Sequence, residues 1–190
     1  MYDLNFFIYF IISALLITIG LFVFIKKSRT VKYYIKYNPQ LPRFTYKLIY
    51  TDENTIKKKK GVTYGAILKS EKYDITGKPD YIYKKGKNYY PIELKSASLG
   101  KNKKPRKKDL MQLAVYFLII EEVYGKTKKG KIIYKDAMVI VKNNNGLKSQ
   151  IKQTLKEMRE MLHTGEQQAN PSYINCKNCV CKNTVCEWDT

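Results

Sequence analysis

The longest hydrophobic pattern of the chain lies near its start. The segment 6–25 runs for 20 residues without a charged side chain. As an α-helix it would measure about 30 Å, which is the thickness of the hydrocarbon core of a bilayer. A cleaved signal peptide fits less well, because no Lys or Arg precedes the segment and no small-residue cleavage site follows it. A buried helix of a soluble domain would more often show a polar face. We therefore predict a transmembrane anchor over residues 1–25.

Basic residues follow this segment and none precedes it. Lys26, Lys27, Arg29 and Lys32 come directly after the apolar run, whereas Asp3 stands before it. Positively charged flanks stay on the cytoplasmic side of a membrane. The sequence thus predicts a single-pass membrane protein whose remaining residues face the cytoplasm, joined to the anchor by a basic linker over 26–43.

Between residues 44 and 165 the hydrophobic pattern alternates between the periods of strands and helices. Short patterns typical of strands cover 46–50, 62–68, 73–76, 80–83, 89–95, 132–134 and 137–141, and helical spacing covers 109–124 and 147–162. This order predicts one α/β core domain with a mixed sheet flanked by helices. Residues 166–190 form a separate cysteine-rich tail.

The net charge indicates the kind of binding partner but not the function. The chain has 36 Lys and Arg against 16 Asp and Glu, a formal net charge of +20. Such a surface attracts polyanions, chiefly nucleic acid or the anionic face of a membrane. A lysine-rich proteome would produce the same balance, so charge alone does not decide the function.

Three polar residues carry the candidate chemistry. Glu93 and Lys95 are two apart on a predicted strand, so their side chains leave the same face, and Asp80 opens the strand before it. Two carboxylates at one point repel each other unless a cation joins them, and Mg²⁺ or Mn²⁺ prefers such oxygen ligands. Lys95 would orient an attacking water or offset negative charge on a phosphate. Alternating Glu and Lys on a solvated strand would look the same, so this pattern is weak by itself.

The residues that follow strengthen this hypothesis. Gln112 and Tyr116 share one face of the predicted helix at spacing i, i+4. A basic segment lies between them and Lys95, and it is a candidate binding site for a nucleic-acid backbone. Its basic residues are Lys101, Lys103, Lys104, Arg106, Lys107 and Lys108.

Taken together, these motifs resemble the RecB-like PD-(D/E)XK nucleases. They are most similar to the CRISPR-associated type-four exonucleases and their membrane-anchored stand-alone relatives. The resemblance runs from about Leu41 to the C terminus and includes Gly77 to Asp80, Pro91 to Lys95 and Gln112 to Tyr116. It implies a restriction-endonuclease-like core, metal-dependent cleavage of DNA, and catalytic roles for Asp80, Glu93, Lys95, Gln112 and Tyr116. The metal ligands that it implies are Asp80, Glu93 and the backbone carbonyl of Leu94.

Two features depart from this family. Many relatives have a histidine ligand ahead of the Asp motif, whereas the one histidine here, His163, follows both motifs and is better placed as a helix-end residue. Glu71 is a candidate substitute. The relatives also take one cluster cysteine from the N-terminal part of the domain, where this chain has none.

All four cysteines lie in the tail: Cys176, Cys179, Cys181 and Cys186. Clustered thiolates suit a zinc ion or an iron–sulfur cluster, and their spacing does not choose between the two. The resemblance favours a 4Fe–4S cluster; zinc and unligated thiols are the alternatives.

The predicted function is that of a membrane-anchored, metal-dependent DNA nuclease, acting as an exonuclease, with DNA and the membrane as partners. A catalytically silent module that tethers DNA at the membrane would use the same basic surface. A protein that only binds anionic lipid is the third hypothesis. Neither binding role requires two carboxylates, which favours the nuclease.

The cysteine tail generates the first testable prediction. Protein purified without oxygen should be brown and contain iron, and Cys179→Ala should lose both the colour and thermal stability, because a bound metal supplies folding free energy. Absorption spectra and metal analysis measure this. A colourless preparation with one equivalent of zinc would favour the zinc alternative, and a preparation without any metal would contradict both.

Overall fold

The computed structural model describes residues 4–28, 31–37, 40–41, 45–53, 58–100, 104–165 and 176. The side chains of 4–8 and 23–28 lie outside this description. The chain divides into two compact units, Met1–Lys152 and Gln153–Thr190, and each is described by itself.

The first element, α1, is a helix over Leu4–Ser28. It contains the apolar segment predicted to be helical, and residues 9–22 are all exposed. Within the described part of the chain, no helix is both long enough and apolar enough to cross a membrane. The predicted transmembrane anchor is therefore not confirmed by the structure.

Nine strands follow in the described part of the first unit. They are β1 (Tyr33–Lys36), β2 (Lys47–Thr51), β3 (Thr63–Tyr64), β4 (Leu68–Ser70), β5 (Ile75–Gly77), β6 (Tyr81–Lys85), β7 (Asn88–Leu94), β8 (Lys129–Ile133) and β9 (Met138–Lys142). Within the described residues, seven of them form one sheet in the order β1-β9-β8-β7-β6-β2-β3. The pairs β7·β8 and β2·β3 are parallel and the other pairs are antiparallel. The predicted α/β class with a mixed sheet is confirmed.

The parallel pair β7·β8 is joined by helix α2 (Lys107–Val123), because parallel neighbours need a crossover connection. One side of α2 is buried through Leu113, Phe117 and Ile120. These side chains form the core together with Ile82 and Ile132 of the sheet, all of which are almost fully buried. Helix α2 therefore covers one face of the main sheet, at the strands that carry the predicted motifs.

The small hairpin β4·β5 also packs against α2, and a glycine lies at this contact. A Cβ atom added to Gly77 would lie 2.8 Å from Ile119 Cδ1 and 3.0 Å from Tyr116 Cε1. A Cβ atom at these distances would force Ile119 or Tyr116 to shift, which glycine avoids. Gly77 thereby fixes the distance between the helix and the segment that leads to Asp80.

The start of α2 is joined to the end of β8 by one buried hydrogen bond. Asp109 in the first helical turn is 3% exposed, and its Oδ2 accepts a hydrogen bond of 2.6 Å from the Tyr134 hydroxyl. Burial and the neighbouring carboxylate raise the pKa of Tyr134 far above its ordinary value, so the tyrosine stays a hydrogen-bond donor. The second oxygen of Asp109 lies 3.8 Å from Lys95 Nζ. This contact holds the helix over the lysine at the end of β7.

The structure differs from the sequence-based strands in two places. The predicted linker contains β1, which pairs with β9 at the edge of the sheet. The predicted strand 62–68 is broken into β3 and β4, since Gly65 between them has a positive φ of 61°. The first difference depends on long-range pairing and the second on the backbone conformation of Gly65, and the local hydrophobic pattern records neither.

Helix α3 covers Asn145–Thr164 and crosses from the first unit into the second. In the second unit its surface carries an ion pair between Lys156 and Glu160, with 3.5 Å between Nζ and Oε1. His163 is exposed in the last turn. A basic side chain at this position interacts favourably with the negative end of the helix dipole.

The hydrogen bond between Tyr134 and Asp109 yields a stability prediction. Tyr134→Phe should lower the free energy of unfolding by about 1–3 kcal/mol, because it leaves a buried carboxylate oxygen without its donor. Urea unfolding measures this. Tyr90→Phe is the control and should change stability by less than about 0.5 kcal/mol, since this hydroxyl makes no hydrogen bond among the described residues. Equal effects of the two substitutions would contradict the role given to the contact.

Candidate functional site

The hairpin of β6 and β7 brings the two predicted carboxylates together. Tyr81 pairs with Ile92 in antiparallel register, so the preceding Asp80 lies opposite Glu93. Residues directly opposite each other share one face of a sheet. The Leu94 N–H donates a hydrogen bond of 2.6 Å to Asp80 Oδ2, which fixes the aspartate against the backbone of β7. The predicted metal ligands Asp80, Glu93 and Leu94 therefore lie at one end of the hairpin.

Glu93 is buried beneath α2, with 6% of its surface exposed. Its Oε1 accepts two hydrogen bonds, one of 3.0 Å from Lys95 Nζ and one of 2.7 Å from Gln112 Nε2. Its Oε2 is also buried, and it has no hydrogen-bond partner among the described residues. A buried polar atom normally has a hydrogen-bond partner, so this oxygen is a candidate to bind a further ligand.

Gln112 connects the cation and the anion of the site. Its Oε1 accepts a hydrogen bond of 2.6 Å from Lys95 Nζ, while its Nε2 donates to Glu93. Only an amide has both an acceptor and donors on one short side chain, so neither a carboxylate nor a lysine could take its place. The Tyr116 hydroxyl accepts from Gln112 Nε2 at 2.9 Å and donates to the Lys78 carbonyl at 3.2 Å. The predicted spacing of Gln112 and Tyr116 thus places both on this network.

The electrostatics of the carboxylates favour a cation between them. Burial raises the pKa of Glu93, and the negative charge of Asp80 raises it further, against the opposing effect of Lys95. Burial also raises the pKa of Asp80, against the Leu94 hydrogen bond and Lys95. Lys95 therefore offsets only part of the negative charge that these two groups carry when ionised.

The donor set fits the divalent metal that the resemblance implies. The unpaired Oε2 of Glu93 and the half-buried Asp80 provide hard oxygen ligands of the kind that Mg²⁺ and Mn²⁺ prefer. Among the described residues, no group of three or more His, Cys, Asp or Glu side chains could hold a metal ion. A metal bound here would complete its ligand shell from backbone oxygens, water or substrate, as Mg²⁺ commonly does.

Two acidic residues that lie near Asp80 were missed from the sequence. The charges of Asp52 and Glu53, which follow β2, add to the raised pKa of Asp80. The Asp52 N–H donates to the Asp80 carbonyl at 3.0 Å, and the Asp52 carboxylate pairs with Lys78. Glu53 accepts a hydrogen bond from the Tyr81 hydroxyl. No spacing along the chain indicates this, because β2 reaches β6 only through sheet pairing.

Glu71, the candidate substitute for the missing histidine, makes other contacts. Its side chain is exposed and lies 3.0 Å from Lys69 Nζ, and its N–H donates to Glu122. Glu122 also accepts hydrogen bonds from the Lys72 N–H and from Ser70. This end of α2 therefore fixes the turn of the β4·β5 hairpin.

Part of the predicted basic segment lines a cleft beside Lys95. The cleft has a volume of about 310 Å³ and is bordered by Arg106, Lys108, Asp109 and Gln112. Lys104 and Lys107 are exposed at the start of α2. Lys101 and Lys103 lie outside the described residues.

The cysteine site is not tested by the structure. Cys176 is half-buried. Cys179, Cys181 and Cys186 fall outside the described residues, so the prediction of a 4Fe–4S cluster or zinc ion stays a prediction.

The chain was compared with curated proteins, solved structures and family models. No curated protein matches the chain. The crystal structure of SSO0001 is similar at 24% sequence identity with a TM-score of 0.41, and the match covers 61% of this chain. The matched part spans about half of that protein, 52% of its length. The family model of the PD-(D/E)XK nuclease superfamily matches residues 29–187, which include every residue of the site. The chain therefore belongs to the PD-(D/E)XK nuclease superfamily.

Proposed function

We propose that this nuclease is a metal-dependent deoxyribonuclease that acts as an exonuclease from the cytoplasmic face of a membrane. The observation that carries the catalytic part is the buried Glu93, whose Oε1 is bound by Lys95 and Gln112, while its Oε2 has no partner in the part of the chain that the structure describes. A protein that only bound nucleic acid would not need an unpaired oxygen at this depth, because its burial is unfavourable to folding.

Asp80, Glu93 and the Leu94 backbone are the groups that would hold the metal. When bound, Mg²⁺ or Mn²⁺ supplies a water of lowered pKa and stabilises charge on the scissile phosphate. The hydrogen bond from the Leu94 N–H and the buried setting of Glu93 hold the two carboxylates in place for this task.

Lys95 is the residue that would act on the substrate. An ammonium group has three N–H donors, and two of them are used by Glu93 and Gln112. The third is left for a phosphate oxygen or the attacking water, because Asp109 at 3.8 Å is beyond ordinary hydrogen-bond distance. Gln112 and Tyr116 position this ammonium group, since their hydrogen bonds fix the amide that it donates to.

The basic residues beside Lys95 support nucleic acid as the substrate. Arg106 and Lys108 border the cleft next to the lysine and would bind backbone phosphates. The preference for DNA and for chain ends rests on the motif resemblance to DNA exonucleases. The iron–sulfur or zinc site of the tail belongs to the same proposal.

The catalytic proposal predicts the activity of single variants. The full chain in neutral detergent should degrade labelled DNA with Mn²⁺ or Mg²⁺ and stop with a chelator. Asp80→Asn, Glu93→Gln and Lys95→Ala should each slow cleavage by about 100-fold or more, because each removes a group that acts on the developing charge. Salt-sensitive DNA binding should stay, since it depends on many Lys and Arg residues.

Asp74→Asn is the matched control for these variants. Asp74 is exposed and has a positive φ of 44°, a conformation that Asn also tolerates. The Asp74→Asn variant should keep full activity.

Glu93→Gln should also be no less stable than the parent, because it removes a buried charge while keeping the acceptor for Lys95. Unchanged cleavage in a variant that combines Asp80→Asn, Glu93→Gln and Lys95→Ala would refute the assignment. Binding of DNA without cleavage by the parent would favour the silent tethering module. Faster cleavage of RNA than of DNA would refute the DNA preference.

The membrane location is proposed from α1 and its basic flank. Its uncharged segment has the length of a bilayer core, and Lys26, Lys27 and Arg29 follow it. Two orientations are conceivable for such a segment, and the flank favours the one with the catalytic domain in the cytoplasm.

Fractionation and protease protection test this location. The chain expressed in bacterial cells should stay in the membrane fraction, and protease added to intact spheroplasts should not digest the catalytic domain. Replacing Lys26, Lys27 and Arg29 by Gln should lower the fraction of protected chains, because the orientation signal is lost. Recovery of the parent in the soluble fraction, or its digestion in intact spheroplasts, would contradict the proposal.

A further inference from the structure

A cluster of lysines lies on one face of the main sheet, and the active site does not use it. Lys131 of β8 lies opposite Ile140 of β9, which in turn lies opposite Tyr34 of β1. Lys129 of β8 lies opposite Lys142 of β9. Because side chains alternate along a strand and opposite residues share a face, all of these residues are on one side of the sheet. The sheet lysine surface consists of Lys36, Lys129, Lys131 and Lys142 together with Tyr34.

This surface faces away from helix α2. Lys131 is in register with Ile92, the neighbour of Glu93 on β7. Glu93 contacts Gln112, so its side chain is on the face that α2 covers. Successive residues of a strand point to opposite faces, and Ile92 and Lys131 are therefore on the other face. The sheet lysine surface is therefore separate from the basic residues at the start of α2.

The lysines of this surface repel one another. Burial lowers the pKa of Lys131, and the charges of Lys129 and Lys36 lower it further. Within the described residues, none of the four lysines forms an ion pair with a carboxylate. Like charges held together without a counter-ion destabilise the fold, and a bound polyanion would relieve that repulsion.

Protection of a sheet edge does not explain the cluster. Lysines on edge strands prevent pairing with other chains, and this accounts for Lys36 on β1. Lys129 and Lys131 belong to β8, which lies inside the sheet between β9 and β7. Their positions therefore point to a ligand rather than to edge protection.

Aromatic residues on the same face indicate the kind of ligand. Tyr34 is 39% exposed beside Lys36. On the neighbouring strands Tyr81 lies opposite Ile92, and Tyr83 lies opposite Tyr90, so these three tyrosines continue the face. Lysines that bind phosphates and aromatic rings that stack on bases are the combination found in proteins that bind single strands. A duplex keeps its bases paired and would leave the rings unused.

The surface extends to the end of the sheet where the active site lies. Leu94 is in register with Ile133, Ile133 with Met138, and Met138 with Lys36. From β6 to β1 the face measures about 19 Å at the usual spacing of strands. A strand of nucleic acid lying across it would be close to Asp80 and Leu94 at that end.

Resting on the nuclease function proposed above, we propose that the sheet lysine surface binds a single strand of nucleic acid outside the catalytic cleft. The lysines contact its phosphates and Tyr34 stacks on a base. The catalytic residues contact only the scissile nucleotides, so the surface contributes affinity for long substrates and little to the cleavage step.

Binding is tested with the full chain in neutral detergent, with a chelator present so that no cleavage occurs. The probe is a fluorescent oligothymidylate of about 16 nucleotides, the upper site size of a typical single-strand binding domain. Lys36→Gln/Lys129→Gln/Lys131→Gln should lower its affinity about tenfold and reduce the slope of log affinity against log salt by about 2. Tyr34→Leu should lower affinity about fivefold with the salt slope unchanged, because stacking releases no counter-ions.

The matched control removes three lysines from the α2 side of the protein. Lys69 and Lys72 lie on and after β4, and Lys72 and Lys152 both approach the Tyr73 ring. Replacing these three by Gln changes the net charge by the same amount as the triple substitution of the sheet lysine surface. It should leave the affinity for the oligonucleotide within about twofold, because these lysines lie outside that surface. Lys36→Gln/Lys142→Gln alters only exposed positions and tests the same prediction without a risk to folding.

The remaining outcomes of these assays distinguish the proposed surface from its alternatives. Equal loss in the surface and control variants, or equal loss for duplex and single strand, would overturn the proposal. So would a loss of binding to phosphatidylglycerol vesicles without a loss for the oligonucleotide, which would assign the surface to lipid. Because this assay needs no cleavage, an inactive parent that still binds through the surface would refute the nuclease function and leave the surface standing. Normal cleavage by the parent, together with unchanged oligonucleotide binding by the surface variants, would refute the proposed surface and leave the nuclease function standing.

Discussion

Glu93 is an acidic side chain held beneath a helix, where water cannot solvate it. Taking a carboxylate out of water is unfavourable unless hydrogen bonds or opposite charges compensate. Lys95 and Gln112 compensate one of its oxygens, while the described residues offer no partner to the other and Asp80 adds further repulsion. The register of the β6·β7 hairpin, the position of α2 and the absence of a side chain at Gly77 all serve to hold this group in place. The site is therefore a local weakness of the fold that the surrounding structure stabilises.

The stabilisation comes from both ends of α2. At its start, Asp109 receives the Tyr134 hydroxyl and approaches Lys95. At its end, Glu122 caps the turn of the β4·β5 hairpin with hydrogen bonds from Ser70 and Lys72. Each contact joins the helix to a different part of the sheet structure. The amide of Gln112 is thereby positioned by contacts at both ends of its helix, as precise catalytic geometry requires.

The sequence predicted the parts of the site that depend on local periodicity. The two-residue spacing of Glu93 and Lys95 on a strand, and the four-residue spacing of Gln112 and Tyr116 on a helix, each determine which side chains share a face. The contributions of Asp52, Asp109 and Tyr134 could not be predicted this way. They approach the site through sheet pairing and through the crossover of α2, so their neighbours are distant along the chain. Strand β1 was missed for the same reason, because a basic and tyrosine-rich segment becomes a strand only when β9 is there to pair with it.

The position of β1 also has a mechanical consequence. It follows α1 in the chain and is joined to the sheet by an antiparallel ladder of four residue pairs with β9. A pull on α1 along the strand axis loads these hydrogen bonds together, as a shear, whereas a pull across the sheet would open them one after another. If β1 were detached, β9 would become the edge strand and both Tyr34 and Lys36 would leave the sheet. Tension applied through α1 is then resisted first by four pairs of residues at the edge of the sheet, and this edge lies three strands away from β7, which carries Glu93.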